Sequence, residues 1–282
     1  MKNRPPRKKQ RVLSFIDRRS PVHALSGASK CVIFLLWSVL VMISFETRIL
    51  CALTLTGAVL LRIAKVRFSE ISFVIKMMLF FLILNLAAIY VFAPEQGVLI
   101  YKTRYVLIAG RGRWTLTLEQ LFYELNVLLK YCAIIPPAIL LMVTTHPSEF
   151  AASLNRIGVP YSIAYAVSLT LRYIPDVQRD YETISQAQQA RGLEISRKAP
   201  PLKRLKGTAP LIMPLVFSSM ERIDVISRAM ELRGFGKHKK RTWYSSRPFC
   251  GADILALTIS AALFAAGIAL TFRHGSRFYR PF

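Results

Sequence analysis

Acidic residues are scarce in this chain. Its 282 residues include 15 Asp or Glu against 39 Lys or Arg, a formal net charge of +24 at pH 7. Soluble domains spread their charge more evenly, so that deficit argues against one. Cysteine is sparse too: Cys31, Cys51, Cys132 and Cys250 are scattered, three of them in apolar runs, with no C-x-x-C spacing. This excludes a disulfide framework or a cysteine-based metal site and leaves small apolar side chains. His23, His146, His238 and His274 stand far apart, without ligand spacing. No G-x-x-x-x-G-K-S/T stretch occurs, which excludes ATP binding through a P-loop. Any ATPase is therefore expected to be a partner. No Ser-His-Asp or Cys-His grouping stands out, and neither a metal, a cofactor nor a catalytic centre is expected.

What is present is apolar. Hydrophobic residues make up 53% of the chain and the mean hydropathy is positive. Together with the charge, this fits a polytopic membrane protein whose basic residues crowd the cytoplasmic side and face anionic lipid. A nucleic-acid binder could carry the same charge, but it would not need several runs of about 18 apolar residues, so no nucleic acid is expected. The opening MKNRPPRKKQR is not followed at once by a short apolar core and a cleavage site. It reads as a cytoplasmic tail rather than a signal peptide.

Five spans are expected: Cys31–Phe45 extended by the residues before it, Ile49–Leu61, Ile71–Phe92, Leu121–Val143 and Ala252–Phe272. Glu46-Thr47-Arg48 turns the first into the second, and Arg62, Lys65 and Arg67 mark the return to the cytoplasm. Pro94, Glu95 and Gly97 break the third span. Residues 98–114 read as an outer loop or hairpin, and Pro136-Pro137 should bend the fourth span because two donors are missing there. The division expected is a basic segment 1–30, four spans in 31–145, an interfacial and cytoplasmic region 146–247, and a last span and tail in 248–282.

Two stretches in the polar region match. AQQARGLE holds Arg191, and forty-two residues later AMELRGFG holds Arg233. Glu182 precedes the first arginine by nine positions, as Asp224 does the second. Val177, Tyr181, Ile184, Ala187 and Ala190 recur at helical steps, as do Val216, Met220, Ile223, Ile226 and Met230. Pro175 suits the first turn of one helix, with Asp176 and Asp180 complementing its positive start, and Pro214 opens the other or its last stretch. Gly192 and Gly234 suit the positions just past each end. The stretch Ser196–Pro210 reads as the connection between them. A third copy, Arg111-Gly112, has no amphipathic helix before it and is assigned no role. The bland reading of the other two is a glycine-capped helix with an arginine near its negative end. Two copies on two matched helices, on one membrane side, raise them above it.

Here the chain resembles the transmembrane T component of energy-coupling factor (ECF) transporters, the CbiQ-like family of cobalt-transport permeases. That family carries two Ala-Arg-Gly-type motifs at the ends of cytoplasmic coupling helices. Ala190-Arg191-Gly192 matches; Leu232-Arg233-Gly234 has Leu where Ala is usual, although Phe235-Gly236 fits. SPVHALSGASK (Ser20 to Lys30) and HPSEFAASLNRIGVP (His146 to Pro160) are also similar to family segments. The resemblance implies an all-α polytopic membrane protein with long amphipathic cytoplasmic coupling helices. It implies a non-catalytic subunit in a bacterial plasma membrane, and two cytoplasmic ABC ATPase subunits that each receive one helix end. It also implies a substrate-binding S component, for uptake of a vitamin or a transition-metal ion. Ala190, Arg191, Gly192, Leu232, Arg233 and Gly234 would make the ATPase contacts, the lipid bilayer being the remaining partner.

Asn85, Glu124 and Lys130 fall in or near spans, where polar groups are expensive and often functional. Polar glue between spans is the commoner explanation. The run 236–241 could touch the ATPases, but more often such a run sits on anionic headgroups, here ahead of Trp243 and Tyr244 as interfacial anchors. An alternative is an integral membrane enzyme acting on lipids through Glu124, Lys130 or His146, which would be active alone. Another is a self-sufficient secondary carrier, which should show inverted repeats and discontinuous spans.

Overall fold

A computed structural model describes residues 20–108, 114–193, 201–238, 241–244, 246–273 and 278–279. The basic segment 1–19, Arg111-Gly112, Lys239, Lys240, His274, Arg277, Arg280 and the first part of the 196–210 connection lie outside the described residues. In chain order the elements begin α1 (Pro21–Ala24), α2 (Gly27–Ile43), α3 (Thr47–Ile63), α4 (Phe68–Phe92) and α5 (Gln96–Tyr101). The strands β1 (Val106–Ile108) and β2 (Leu116–Thr117) follow, then α6 (Leu118–Thr144), α7 (Pro147–Ile157), α8 (Tyr161–Ala190), α9 (Pro201–Leu232) and α10 (Gly251–Phe272). Two compact units divide them: Met1–His146 with Arg247–Phe282, and Pro147–Ser246.

In the first unit α2, α3 and α6 enclose a core of Trp37, Leu40, Val41, Leu50, Leu53 and Ala133. The Pro136-Pro137 pair shapes it. Pro137 has no N–H to give the carbonyl four residues back, which is that of Ala133. The Trp37 indole N–H donates to that carbonyl at 3.0 Å instead. Beside it the backbones of α3 and α6 come close: a Cβ on Gly57 would sit 2.7 Å from Pro136 Cβ. Charged groups close the helix ends. Lys30 Nζ donates to Thr144 O at 2.9 Å, and one Asp253 carboxylate accepts the N–H of Ser26 at 2.7 Å and of Cys250 at 2.9 Å.

α2 starts at Gly27, so the first span does borrow residues before Cys31. Three helical stretches among the described residues are long and apolar enough to cross a membrane: Ile71–Phe92, Leu118–Thr144 and Gly251–Phe272. The 17 residues of α2 and of α3 reach only about 25 Å against a hydrocarbon core of about 30 Å. Five crossings therefore do not follow from helix length. Phe80 and Ile83 on α4 are each 64% exposed, a continuous apolar face that lipid, not water, accommodates. The segment expected as a loop or hairpin opens with a short helix, α5, before β1 and β2 pair antiparallel with Val106 opposite Thr117.

Lys130 and Glu124 serve the packing. Lys130 Nζ donates to Met42 O at 3.0 Å, at the end of α2, and lies 3.1 Å from the centroid of the Phe45 ring. Glu124 accepts from Gln120 Nε2 at 3.2 Å.

Candidate functional site

Both Arg-Gly stretches lie in the second unit, one at the end of α8 and one at the end of α9. At the first, the Gly192 N–H donates to Gln189 O and the Leu193 N–H to Gln188 O, each at 3.0 Å. At the second, the Gly234 N–H donates to Glu231 O at 2.8 Å and the Phe235 N–H to Met230 O at 2.9 Å. These are the paired reverse bonds of a Schellman cap, which uses carbonyls that the helix leaves open. The cap needs left-handed backbone; Gly192 has φ +90° and Gly234 φ +64°, which glycine adopts without a Cβ clash. Arg191 and Arg233 hold the same place in each cap, directly before the glycine.

Ala190, Arg191, Leu232 and Arg233 are all exposed. Neither guanidinium has a hydrogen bond or ion pair among the described residues. The C-terminus of α7 supplies a comparison. Gly158, at φ +115°, donates to Asn155 O, and Val159 donates to Leu154 O, but the residue before the glycine is Ile157. A Schellman cap is thus an ordinary helix end in this unit. What the other two share beyond it is an exposed cation at the tip, where the negative end of the helix favours one.

Several expectations about these helices need correction. Pro175 does not open its helix, and Pro214 stands at most before the last stretch of its own: α8 begins at Tyr161 and α9 at Pro201, with both prolines inside. Each proline removes one donor, which kinks a helix whose flanks favour it rather than ending it. The expected connection 196–210 is helical from Pro201. Asp176 and Asp180 lie mid-helix, where Asp176 contacts Arg179 at 3.4 Å and Asp180 pairs with Arg222 of α9. Glu182 and Asp224, the acids at matched spacing, make no hydrogen bond or ion pair among the described residues. The apolar stripe of α9 is uncovered in the chain alone, Val216, Met220 and Ile223 being exposed. Trp243, named from sequence as an interfacial anchor, is half-buried and also joins an aromatic group.

That group surrounds the tip of α9. The rings of Tyr161 and Tyr165, from the first turns of α8, meet Phe235 at centroid distances of 6.0 and 4.8 Å. Trp243 lies 5.3 Å from Tyr161 and donates its indole N–H to Asn155 Oδ1 of α7 at 3.1 Å. Arg241 Nη2 donates to the carbonyls of Arg233 at 3.1 Å and Gly234 at 2.6 Å, with its guanidinium 5.9 Å from the Phe235 centroid. Burial among these rings, and then the neighbouring Tyr165, push the Tyr161 hydroxyl pKa up, with Arg241 opposing.

Sequence reasoning missed Arg222, Arg241 and the packing of Trp243. For Arg222 a signal existed: it follows Asp180 by forty-two positions, the spacing that separates Arg191 from Arg233. Among the described residues no three His, Cys, Asp or Glu side chains are grouped as metal ligands.

The family model described as "Cobalt transport protein" (CbiQ) matches residues 18–244, well over half the chain. The chain belongs to this family. The energy-coupling factor transporter transmembrane protein EcfT of Bacillus subtilis is 24% identical over 260 residues, covering 88% of this chain and 94% of the relative. That of Brevibacillus brevis is 26% identical over 262 residues, covering 88% and 93%. The Staphylococcus aureus relative is 28% identical over 195 residues, 65% of this chain and 72% of its own. As a CbiQ-family chain with several apolar helices, the protein is a multi-pass bacterial cell-membrane transport protein and not a catalytic enzyme.

Proposed function

We propose that this CbiQ-family chain is the transmembrane coupling subunit of an ECF-type ABC importer. Two cytoplasmic ATPase subunits hydrolyse ATP. One grips Ala190-Arg191-Gly192 and the other Leu232-Arg233-Gly234, and the motion reaches a substrate-binding S component for uptake of a vitamin or a transition-metal ion. The observation that carries this reading is the matched pair of tips: two long helices, identical caps, and on each an exposed guanidinium that is unpaired among the described residues. Arg offers a planar fork that a carboxylate in a groove accepts through two hydrogen bonds. Once such a pair is buried, loss of one partner costs about 3–5 kcal/mol. The uncovered stripe Val216, Met220, Ile223 suits an apolar membrane partner.

The test is co-purification of the solubilised chain with its ATPases. Arg191→Glu with Arg233→Glu should abolish recovery of both ATPase subunits while the chain stays folded. Undiminished recovery by that double variant would overturn the assignment.

A further inference from the structure

The two tips are alike in their caps and unlike in their surroundings. Among the described residues, a Cβ placed on Gly192 would meet nothing within 4 Å. The guanidinium of Arg191, the cap residue of α8, likewise has no hydrogen bond, ion pair or ring contact among them. The α9 tip is fastened at three points. Arg241 donates to the carbonyls of Arg233 and Gly234, two of the acceptors that a helix end leaves open. Phe235, the residue that completes the cap, lies against Tyr165 and Tyr161. Trp243 joins that stack and is itself fixed to Asn155, whose Nδ2 donates to Val159 O at 2.9 Å. The end of α9 is thus locked to the start of α8 and the end of α7. All these residues belong to the second unit.

We infer that Arg241 and Trp243 are positioning residues for Arg233, and that the two tips are mechanically inequivalent. The Arg233 tip is the fixed grip, moving with α7 and the start of α8, whereas the Arg191 tip is the one that swings. The inference rests on the proposed function for what the tips hold, but the anchoring itself can be read without any ATPase.

Each tip can be isolated by disabling the other in the full chain. In an Arg191→Glu background, Trp243→Leu or Arg241→Gln should weaken ATPase binding about tenfold, the loss expected from one or two aromatic contacts or cap bonds. In an Arg233→Glu background the same substitutions should leave binding unchanged. Trp243→Phe, which keeps a ring, should restore most of the affinity. Equal weakening in both backgrounds would mean a general structural role and would overturn the inference. Amide hydrogen exchange on the chain without ATPases supplies the second readout: Trp243→Leu should speed exchange at Gly234 and Phe235 about tenfold and leave Gly192 and Leu193 unchanged. If wild type binds no ATPase, the proposed function fails and the exchange result alone decides this inference. Unchanged exchange at Gly234 and Phe235 would refute it.

Discussion

Replacing Asp180 by Asn leaves the Arg222 guanidinium facing a neutral amide across α8 and α9. The two side chains are 26% and 29% exposed. The pair therefore lies between surface ion pairs and buried ones, and its loss should cost about 1–2 kcal/mol. The leverage matters more than the energy. Asp180 stands eleven residues before Arg191, and Arg222 stands eleven before Arg233. At a rise of about 1.5 Å per residue, each arginine sits on an arm of about 16 Å measured from this pair. A relaxation of roughly 10° at the pair would carry the Arg191 tip about 3 Å sideways across that arm, a full hydrogen-bond length. Spin labels at Gln186 and Arg228, in a chain with its four cysteines replaced, report the arm separation directly. The labels sit six residues from the pair, so Asp180→Asn should broaden that distance distribution by about 1.5 Å and lower ATPase affinity five- to tenfold, about 1–1.4 kcal/mol. The charge-swapped chain, Asp180→Arg with Arg222→Asp, should recover both. An unbroadened distribution in Asp180→Asn would show that the ion pair does not set the arm geometry.

Three further outcomes follow from local geometry. Gly192→Ala meets open space but must hold φ near +90°, so it should cost about 1–2 kcal/mol and speed amide exchange at Leu193. Gly57→Ala forces a methyl to 2.7 Å from a rigid proline ring, and should lower the thermal midpoint of the purified protein by an amount equivalent to about 1–3 kcal/mol. Trp37→Phe strands the Ala133 carbonyl and should destabilise by about 1–3 kcal/mol. Adding Pro137→Ala restores a helical donor to that carbonyl, so the Trp37→Phe penalty measured in that background should shrink. Equal penalties in the two backgrounds would refute this account of the kink.

The membrane helices were legible because long apolar runs have few alternatives. Ile71–Phe92 reads the same from sequence and in α4. The Arg-Gly caps were legible because glycine past a periodic run has one common use. Helix starts were not. Pro175 and Pro214 look like first-turn residues, and nothing local tells a proline that opens a helix from one that bends it; the register of the preceding YSIAYAVSLTLRYI decides. Contacts between distant segments were also hidden. Asp180 with Arg222, and Trp243 with Asn155, depend on how α7, α8 and α9 fold back on one another. Only the repeated spacing of forty-two hinted at the first. What covers the apolar stripes was not legible for a related reason: periodicity identifies an apolar face but not its partner. Val216 and Met220 remain uncovered in the chain alone.

The indole of Trp37 also bears on how the protein is made. Hydrocarbon supplies no water to an orphaned carbonyl, and each such group left bare there costs several kcal/mol. α6 on its own would carry that penalty at Ala133. Because α2 precedes α6 in the chain, its indole can meet that carbonyl as soon as the twin-proline segment packs, which would spare the later helix an unsolvated stage.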